Sequence, residues 1–391
     1  MRVLLLNAGS SSLKCTLMDA ASGTVLVHAS TDWAGSVARY ERVGPASERL
    51  STDVGFRSHG DAVRYMITDL GVGTGPDRPD AVGHRIVHGG EFRSSVQITR
   101  AVRGRIAELA ALAPLHNPPS LEALTAAESL LPMAPHIAVF DTAFHATMPR
   151  HASTLPVPRT WSDDFGIRRY GFHGLSHAYC ARRAAELLLL PIGQVRSVIC
   201  HLGHGCSATA VDGGESMDTT MGFTPLDGLM METRSGSVDP GAVVHVQRTH
   251  GLTPQDVEAA LNHRSGLLGV SGVSADMREV MAAAREQNDR ARLAIEIYVH
   301  RVRQAIGALA VTLGGIEALV FTAGVGENSA EIRSMTCRGL ECLGVHLDQD
   351  ANTSAVPDAD VAVRGARVRV LVIRTREDLA MLSEVVRVVA Y

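Results

Sequence analysis

The chain has 391 residues, enough for two or three domains with substantial cores, so a small scaffold held together by disulfides is excluded. Apolar residues make up 46%, charged residues 20%, and the formal net charge is −4, which excludes a disordered chain and a general polyanion binder; nucleic acid is not an expected partner. No apolar stretch approaches the roughly 18 residues of a membrane helix, and Met1–Asn7 is too short for a secretory signal, so a cytoplasmic location without a membrane partner is expected.

Residues 2–7 read as a buried strand, 8–12 as a tight polar turn, 13–18 as a returning strand and 24–29 as a third, giving a hairpin meander. Helical periodicity follows around 102–113 and 119–131. A Pro-punctuated segment near 147–158 reads as the domain boundary, and a further helix is expected at 176–190. Near residue 196 the opening pattern returns: sliding Asn7 onto His201 places Gly9 on Gly203 and Leu17 on Val211. The repeat predicts two duplicated α/β domains, 1–148 completed by 378–391, and 149–377. A long helix is expected over Arg285–Leu313, then a strand at Glu317–Thr322 running into a Gly-rich turn, a strand at Val368–Ile373 and a last helix at 377–389.

The six cysteines form no C-x-x-C pair and several lie in apolar runs, so they read as reduced structural thiols. Of the 37 basic residues 36 are arginine; the single lysine, Lys14, sits beside a Gly-Ser loop, where a compact ammonium differs chemically from a guanidinium.

Three Gly-rich turns follow apolar strands, at 7–14, 201–205 and 323–328. Glycine lets a backbone approach a phosphate, and successive N–H groups form a concave anion site. None is a G-x-x-x-x-G-K-[ST] loop or a strand-turn-helix G-x-G-x-x-G. A separate set suits a small anion: Arg85 between His84 and His88, Asp141 before His145, His173 with His177, and Arg234 after Glu232. The pairs His84/His88 and His173/His177 invite a zinc reading, but neither carries the glutamate of H-E-x-x-H.

The blocks Asn7-x-Gly-Ser-Ser-Ser-x-Lys14, His84-Arg-x-Val-His-Gly-Gly90, Phe140-Asp-Thr-Ala-Phe-His145, Tyr170-Gly-Phe-His-Gly174, Met217–Pro225 and Gly324-x-Gly-Glu-Asn328 resemble the acetate kinase family, within the superfamily of acetate and sugar kinases, heat-shock ATPases and actin. The resemblance covers nearly the whole chain. It implies two actin-like (ribonuclease H-like) domains with an active-site cleft between them, ATP or ADP as substrate, Mg²⁺ or alternatively Mn²⁺, acetate or acetyl phosphate as the other substrate, and a homodimer. By the same resemblance Asn7 and Glu377 are the metal-associated pair and Lys14 an ATP contact. Arg85 and Arg234 hold the carboxylate and the phosphoryl group in flight, His173 stabilises that group, and Asp141 is the essential aspartate, as proton donor or positioner. Val87, Leu115, Phe172 and Pro225 line the acyl pocket. The nucleotide stretches are His201, Leu202, Gly203, His204 and Gly205; Asp276, Met277 and Arg278; and Gly324, Val325, Gly326, Glu327 and Asn328.

The chain departs from the family pattern at His204, where it has asparagine, and at Glu232, where it has glycine, both beside the expected nucleotide phosphates and expected to act as a coupled pair; near the C-terminus Arg374-Thr-Arg376-Glu377-Asp378 stands where the family has Pro-Thr-Asn-Glu-Glu, which keeps the first carboxylate. The alternatives are a propionate or other short-chain acyl kinase and, from another class, an actin-like or chaperone-type ATPase.

Overall fold

The computed structural model describes residues 1–390 apart from 10–11, 34–37, 45–47, 74–77 and 114–115. It divides into two compact units, Met1–Phe144 with Arg376–Tyr391, and His145–Thr375.

In the first unit, among the described residues, eight strands form one mixed sheet: β1 (Arg2–Ala8), β2 (Ser12–Asp19), β3 (Val25–Asp32), β4 (Ala38–Val43), β5 (Arg49–Val54), β6 (Ala81–Ile86), β7 (Val96–Gln97) and β8 (His136–Phe140), in the order β5-β4-β3-β2-β1-β6-β8-β7. The central strands are continuous apolar runs because both faces are covered. Side chains alternate along β1: Leu4 and Leu6 enter a core with Leu13, Met66 and Ala127, supplied from the helices His59–Asp69 and Asn117–Leu130. Leu5 faces the other way, toward the C-terminal helix Glu377–Val389. Gly83 on β6 shows how closely that helix docks, since a Cβ there would lie 2.6 Å from Val385 and 2.9 Å from Leu5.

The second unit has β9 (Arg196–Leu202), β10 (Cys206–Asp212), β11 (Glu215–Thr219), β12 (Ala318–Thr322), β13 (Ala359–Asp360) and β14 (Arg369–Val372), ordered β11-β10-β9-β12-β14-β13. Its core repeats the first sheet: β3-β2-β1-β6-β8 and β11-β10-β9-β12-β14 have the same order and the same strand directions. The register repeats too, Leu5 facing Gly83 as Ile199 faces Val320.

Several expected bounds move. The first turn is shorter than 8–12: the strands run to Ala8 and from Ser12, with Gly9 N–H donating to Ser12 O at 2.8 Å. The meander continues into β4 and β5. The long helix starts at Asp289, because Met277–Arg285 is a separate helix and Gln287 between them is left-handed (φ 67°). The Gly-rich stretch after β12 is not a turn; Ala323–Asn328 is a short helix. Of the free cysteines, Cys15, Cys180, Cys200, Cys206 and Cys337 are buried and Cys342 is exposed. No helix among the described residues is long and apolar enough to cross a membrane.

Candidate active site

In the first unit three of the expected residues converge on Arg85, on β6. Its fork donates to Asp141 through Nε (3.0 Å to Oδ1) and Nη2 (2.5 Å to Oδ2); Nη1 donates to Asn7 Oδ1 at 3.1 Å and lies 4.0 Å from Glu377 Oε2. Asp141 opens the turn after β8, and its side chain is only 1% exposed. Burial pushes its carboxyl above the ordinary value while the Arg85 charge opposes that shift. Burial penalises the Arg85 cation as well, but Asp141 and then Glu377 outweigh it and hold the guanidinium above its ordinary value. Lys14 is paired with Asn7 across the β1–β2 ladder, which puts the exposed ammonium on the same face as that amide. Val87 is buried just beyond β6. Leu115, and Ser10 and Ser11 of the first motif, lie outside the described residues.

In the second unit β9 and β12 are parallel neighbours, so their C-terminal ends deliver the turn Gly203–Gly205 and the helix Ala323–Asn328 to one edge. In α/β sheets that edge is where ligands bind. There a cavity of about 380 Å³ is lined by Gly203, His204, Glu232, Asp276, Met277, Arg278, Met281, Gly324, Val325, Asn328 and Ser329. Eight of these belong to the expected nucleotide stretches. Of the others, Leu202, Gly326 and Glu327 back the wall. Leu202 is core, and Glu327 accepts from Ala323 N–H (2.9 Å) and Thr375 N–H (3.0 Å), tying the short helix in place. Arg333, 2% exposed, donates to Gly326 O and Glu327 O from beneath, both at 2.9 Å. Met281, Ser329 and Arg333 carry no local sign of this role in the sequence.

The Arg278 fork holds Asp276 (Nη2 to Oδ2, 2.5 Å), and the bond draws that carboxyl below its ordinary value. His204 Nδ1 and Glu232 Oε2 are 2.5 Å apart, so these two departures from the family pattern are one hydrogen-bonded pair in the cavity wall.

Beside the cavity, Gly205 keeps a gap open: a Cβ there would lie 3.2 Å from His173 Nε2 and 3.6 Å from Arg234 Nη1. His173 precedes the helix Gly174–Leu188 with left-handed backbone (φ 56°), uncommon for a residue with a Cβ. Arg234 is half-buried. Its Nη1 donates to Pro225 O at 3.4 Å, and no carboxylate among the described residues lies within ion-pair distance. Burial lowers its pKa below the ordinary arginine value, yet a guanidinium keeps its proton, so this is a cation awaiting an anion. Phe172 is buried and its carbonyl accepts from His145 Nε2 at 2.9 Å; Pro225 is half-buried.

The histidine pairs do not form zinc sites. His84 Nε2 bonds to His136 Nδ1 at 2.9 Å, and His177 Nε2 bonds to Ser207 Oγ at 2.7 Å. Among the described residues no group of three or more His, Cys, Asp or Glu side chains could hold a metal ion.

Residues 2–383 match the acetokinase family. The chain belongs to that family. A curated acetate kinase of Gloeobacter violaceus is 49% identical over 401 residues, covering 98% of each chain. Among solved structures, Porphyromonas gingivalis acetate kinase shares 37% identity with a TM-score of 0.91 over 99% of each chain. A Francisella tularensis propionate kinase shares 36% identity with a TM-score of 0.91 over 98% of each chain. An acetokinase is a phosphotransferase with a carboxyl group as acceptor, and the duplicated sheets are those of the actin-like fold.

Proposed function

We propose that this acetokinase catalyses ATP + acetate ⇌ ADP + acetyl phosphate, with the residue roles below. The observation that carries the reading is Arg234, a half-buried guanidinium without a carboxylate, flanking with His173 the gap that Gly205 leaves open. A phosphoryl group in transfer spreads negative charge over its oxygens, so positioned cations and N–H donors supply most of the catalysis.

The acetate carboxylate is ionised at neutral pH and needs no strong base to attack the γ-phosphorus. As the bond from its oxygen to phosphorus forms, the bond to the ADP oxygen breaks, and the electron pair leaves with ADP. Arg234 and His173 stabilise the transferring oxygens. Arg85 offers its charge to the acyl-side oxygens, oriented by the two bonds from Asp141. Those two bonds favour the positioning role of Asp141 over that of proton donor. Val87, Leu115, Phe172 and Pro225 are the residues that the family resemblance assigns to the acyl pocket, where apolar side chains would exclude water around the methyl group.

The cavity of about 380 Å³ takes the nucleotide, with Gly203 and Gly324 giving close approach; Lys14 is the ATP contact that the family resemblance implies. Asn7 Oδ1 and the Glu377 carboxylate are hard oxygen donors that come together around Arg85 Nη1, a set that suits Mg²⁺, which commonly takes one or two protein oxygens and completes its shell with phosphate and water. Bound there, the ion would neutralise phosphate charge. A homodimer, as the family resemblance implies, and a cytoplasmic location, as the sequence leads one to expect, complete the reading.

The structural likeness to a propionate kinase favours a second reading in which the preferred acid is longer. One methylene in an apolar pocket is worth about 1–3 kcal/mol, so a series of straight-chain acids assayed at saturating ATP decides between them. Replacing Arg234 with alanine should cut kcat by about 10²-fold or more. Retention of wild-type kcat would remove the observation on which the assignment stands.

A further inference from the structure

We propose that Ser207 and Ser176 are positioning residues that fix the tautomers of the stacked imidazoles His173 and His201, so that both rings present Nε2–H donors to the Gly203–Gly205 turn. The inference rests on reading that turn as a phosphate-binding edge.

His177, on the helix that follows His173, is wholly buried. Burial, with smaller contributions from His145 and His201, keeps it well below the ordinary histidine value, so it is neutral and carries a single ring N–H. Its Nε2 lies 2.7 Å from Ser207 Oγ, whereas its Nδ1 has no partner among the described residues. A proton on Nδ1 would be a buried donor without an acceptor, which native structures avoid. The proton therefore sits on Nε2 and is donated to Ser207 Oγ. The single hydroxyl proton of Ser207 is then free for its other neighbour, His173 Nδ1, at 3.0 Å. With Nδ1 accepting, the proton of a neutral His173 sits on Nε2.

A second chain of the same kind ends on His201. Thr375 Oγ1 donates to Ser176 Oγ at 2.9 Å, leaving the Ser176 proton for His201 Nδ1 at 2.8 Å. The two rings stack with centroids 4.2 Å apart and planes inclined by 22°. Both Nε2 edges face the glycine turn: a Cβ on Gly205 would lie 3.2 Å from His173 Nε2, and one on Gly203 would lie 3.6 Å from His201 Nε2. The opposite tautomers would turn two lone pairs toward an anion, whereas these turn two N–H dipoles toward it. Two charged groups neighbour that turn: Arg234, which adds to the same field, and Glu232, which is held by His204 of the turn and opposes it.

The test is long-range ¹⁵N–¹H NMR of the full chain labelled at histidine nitrogens, with the two rings assigned through His173→Gln and His201→Gln. At neutral pH both should be Nε2–H tautomers. Ser207→Ala should mix the tautomers of His173 and lower kcat by about 10- to 100-fold, with little change in KM for ATP, in line with losing a group that orients an imidazole. Ser207→Thr, which keeps the hydroxyl, should restore both the tautomer and kcat. A proton on His173 Nδ1 in the wild type, or an unchanged tautomer and kcat in Ser207→Ala, would overturn the proposal. Full kcat in His173→Gln would instead overturn the functional role of that ring, which separates failure of the underlying reading from failure of the relay.

Discussion

Replacing Arg85 with methionine removes one side chain and strands another. Asp141 would keep its place, 1% exposed, but lose both guanidinium bonds, at 3.0 and 2.5 Å. Breaking a buried ion pair from one side costs about 3–5 kcal/mol, because the remaining charge has no compensation. For a unit of this size, at about 2–4 °C per kcal/mol, its melting temperature should fall by roughly 6–20 °C. The loss must depend on pH. Asp141 already sits above its unfolded value, and removing the opposing Arg85 charge raises it further. A raised folded-state pKa contributes stability below the unfolded value and loses it as pH rises through the folded value. The variant should therefore regain stability relative to wild type on acidification toward pH 4, and lose it again toward pH 7. Adding Asp141→Asn to Arg85→Met removes the stranded charge and should recover most of the loss at pH 7. Thermal unfolding of wild type, both single variants and the double variant at the two pH values closes the cycle. A loss below about 1 kcal/mol, within the range of exposed pairs, or a double variant no better than Arg85→Met, would refute the buried-pair reasoning.

Lys14→Ala should raise KM for ATP far more than KM for acetate in steady-state assays; equal effects with the fold intact would remove Lys14 from the nucleotide set. Val87→Ala should shift kcat/KM from acetate toward propionate and butyrate by about 1–3 kcal/mol, and an unchanged ratio would mean that another residue limits acyl length. His204→Ala leaves the Glu232 carboxylate uncompensated in the cavity wall, so ADP binding by calorimetry should weaken by about 2- to 5-fold, the scale of an exposed pair, while Glu232→Gln should strengthen it. Effects of the same sign in both variants would rule out that His204 screens the Glu232 carboxylate from the nucleotide.

The sequence was most legible where one physical signal dominated. The last helix is predicted at 377–389 and runs Glu377–Val389, because its apolar spacing is uninterrupted and its first turn is acidic. The duplication is visible because β1 and β9 are buried runs followed by glycine turns, and both sheets then repeat one strand order. The strands β4 and β5 carry little apolar signal: β4 lies between β3 and β5 with charged residues at three of its six positions, and β5 is the edge strand, exposed along almost its whole length with no apolar alternation to read. Gly324–Asn328 looked like a turn by its glycines, but Arg333 and Glu327 hold it helical through contacts the local sequence does not encode. Arg85, Asp141, Asn7 and Glu377 could be named one by one from their motifs. Their convergence is a tertiary fact, whereas the pairing of His204 with Glu232, 28 residues apart, is expected from the two departures and is met by the bond between them. The serine relays had no signal at all, since Ser207 matters only through the imidazoles on either side of it.

The central claim is that the acceptor is a short carboxylate and the product an acyl phosphate. Trapping with hydroxylamine tests it most directly: the protein with Mg-ATP and acetate should yield acetyl hydroxamate in step with ADP, and ADP should not accumulate when the acid is omitted. ADP released at the same rate with or without acetate, and no hydroxamate from any short-chain acid, would contradict it.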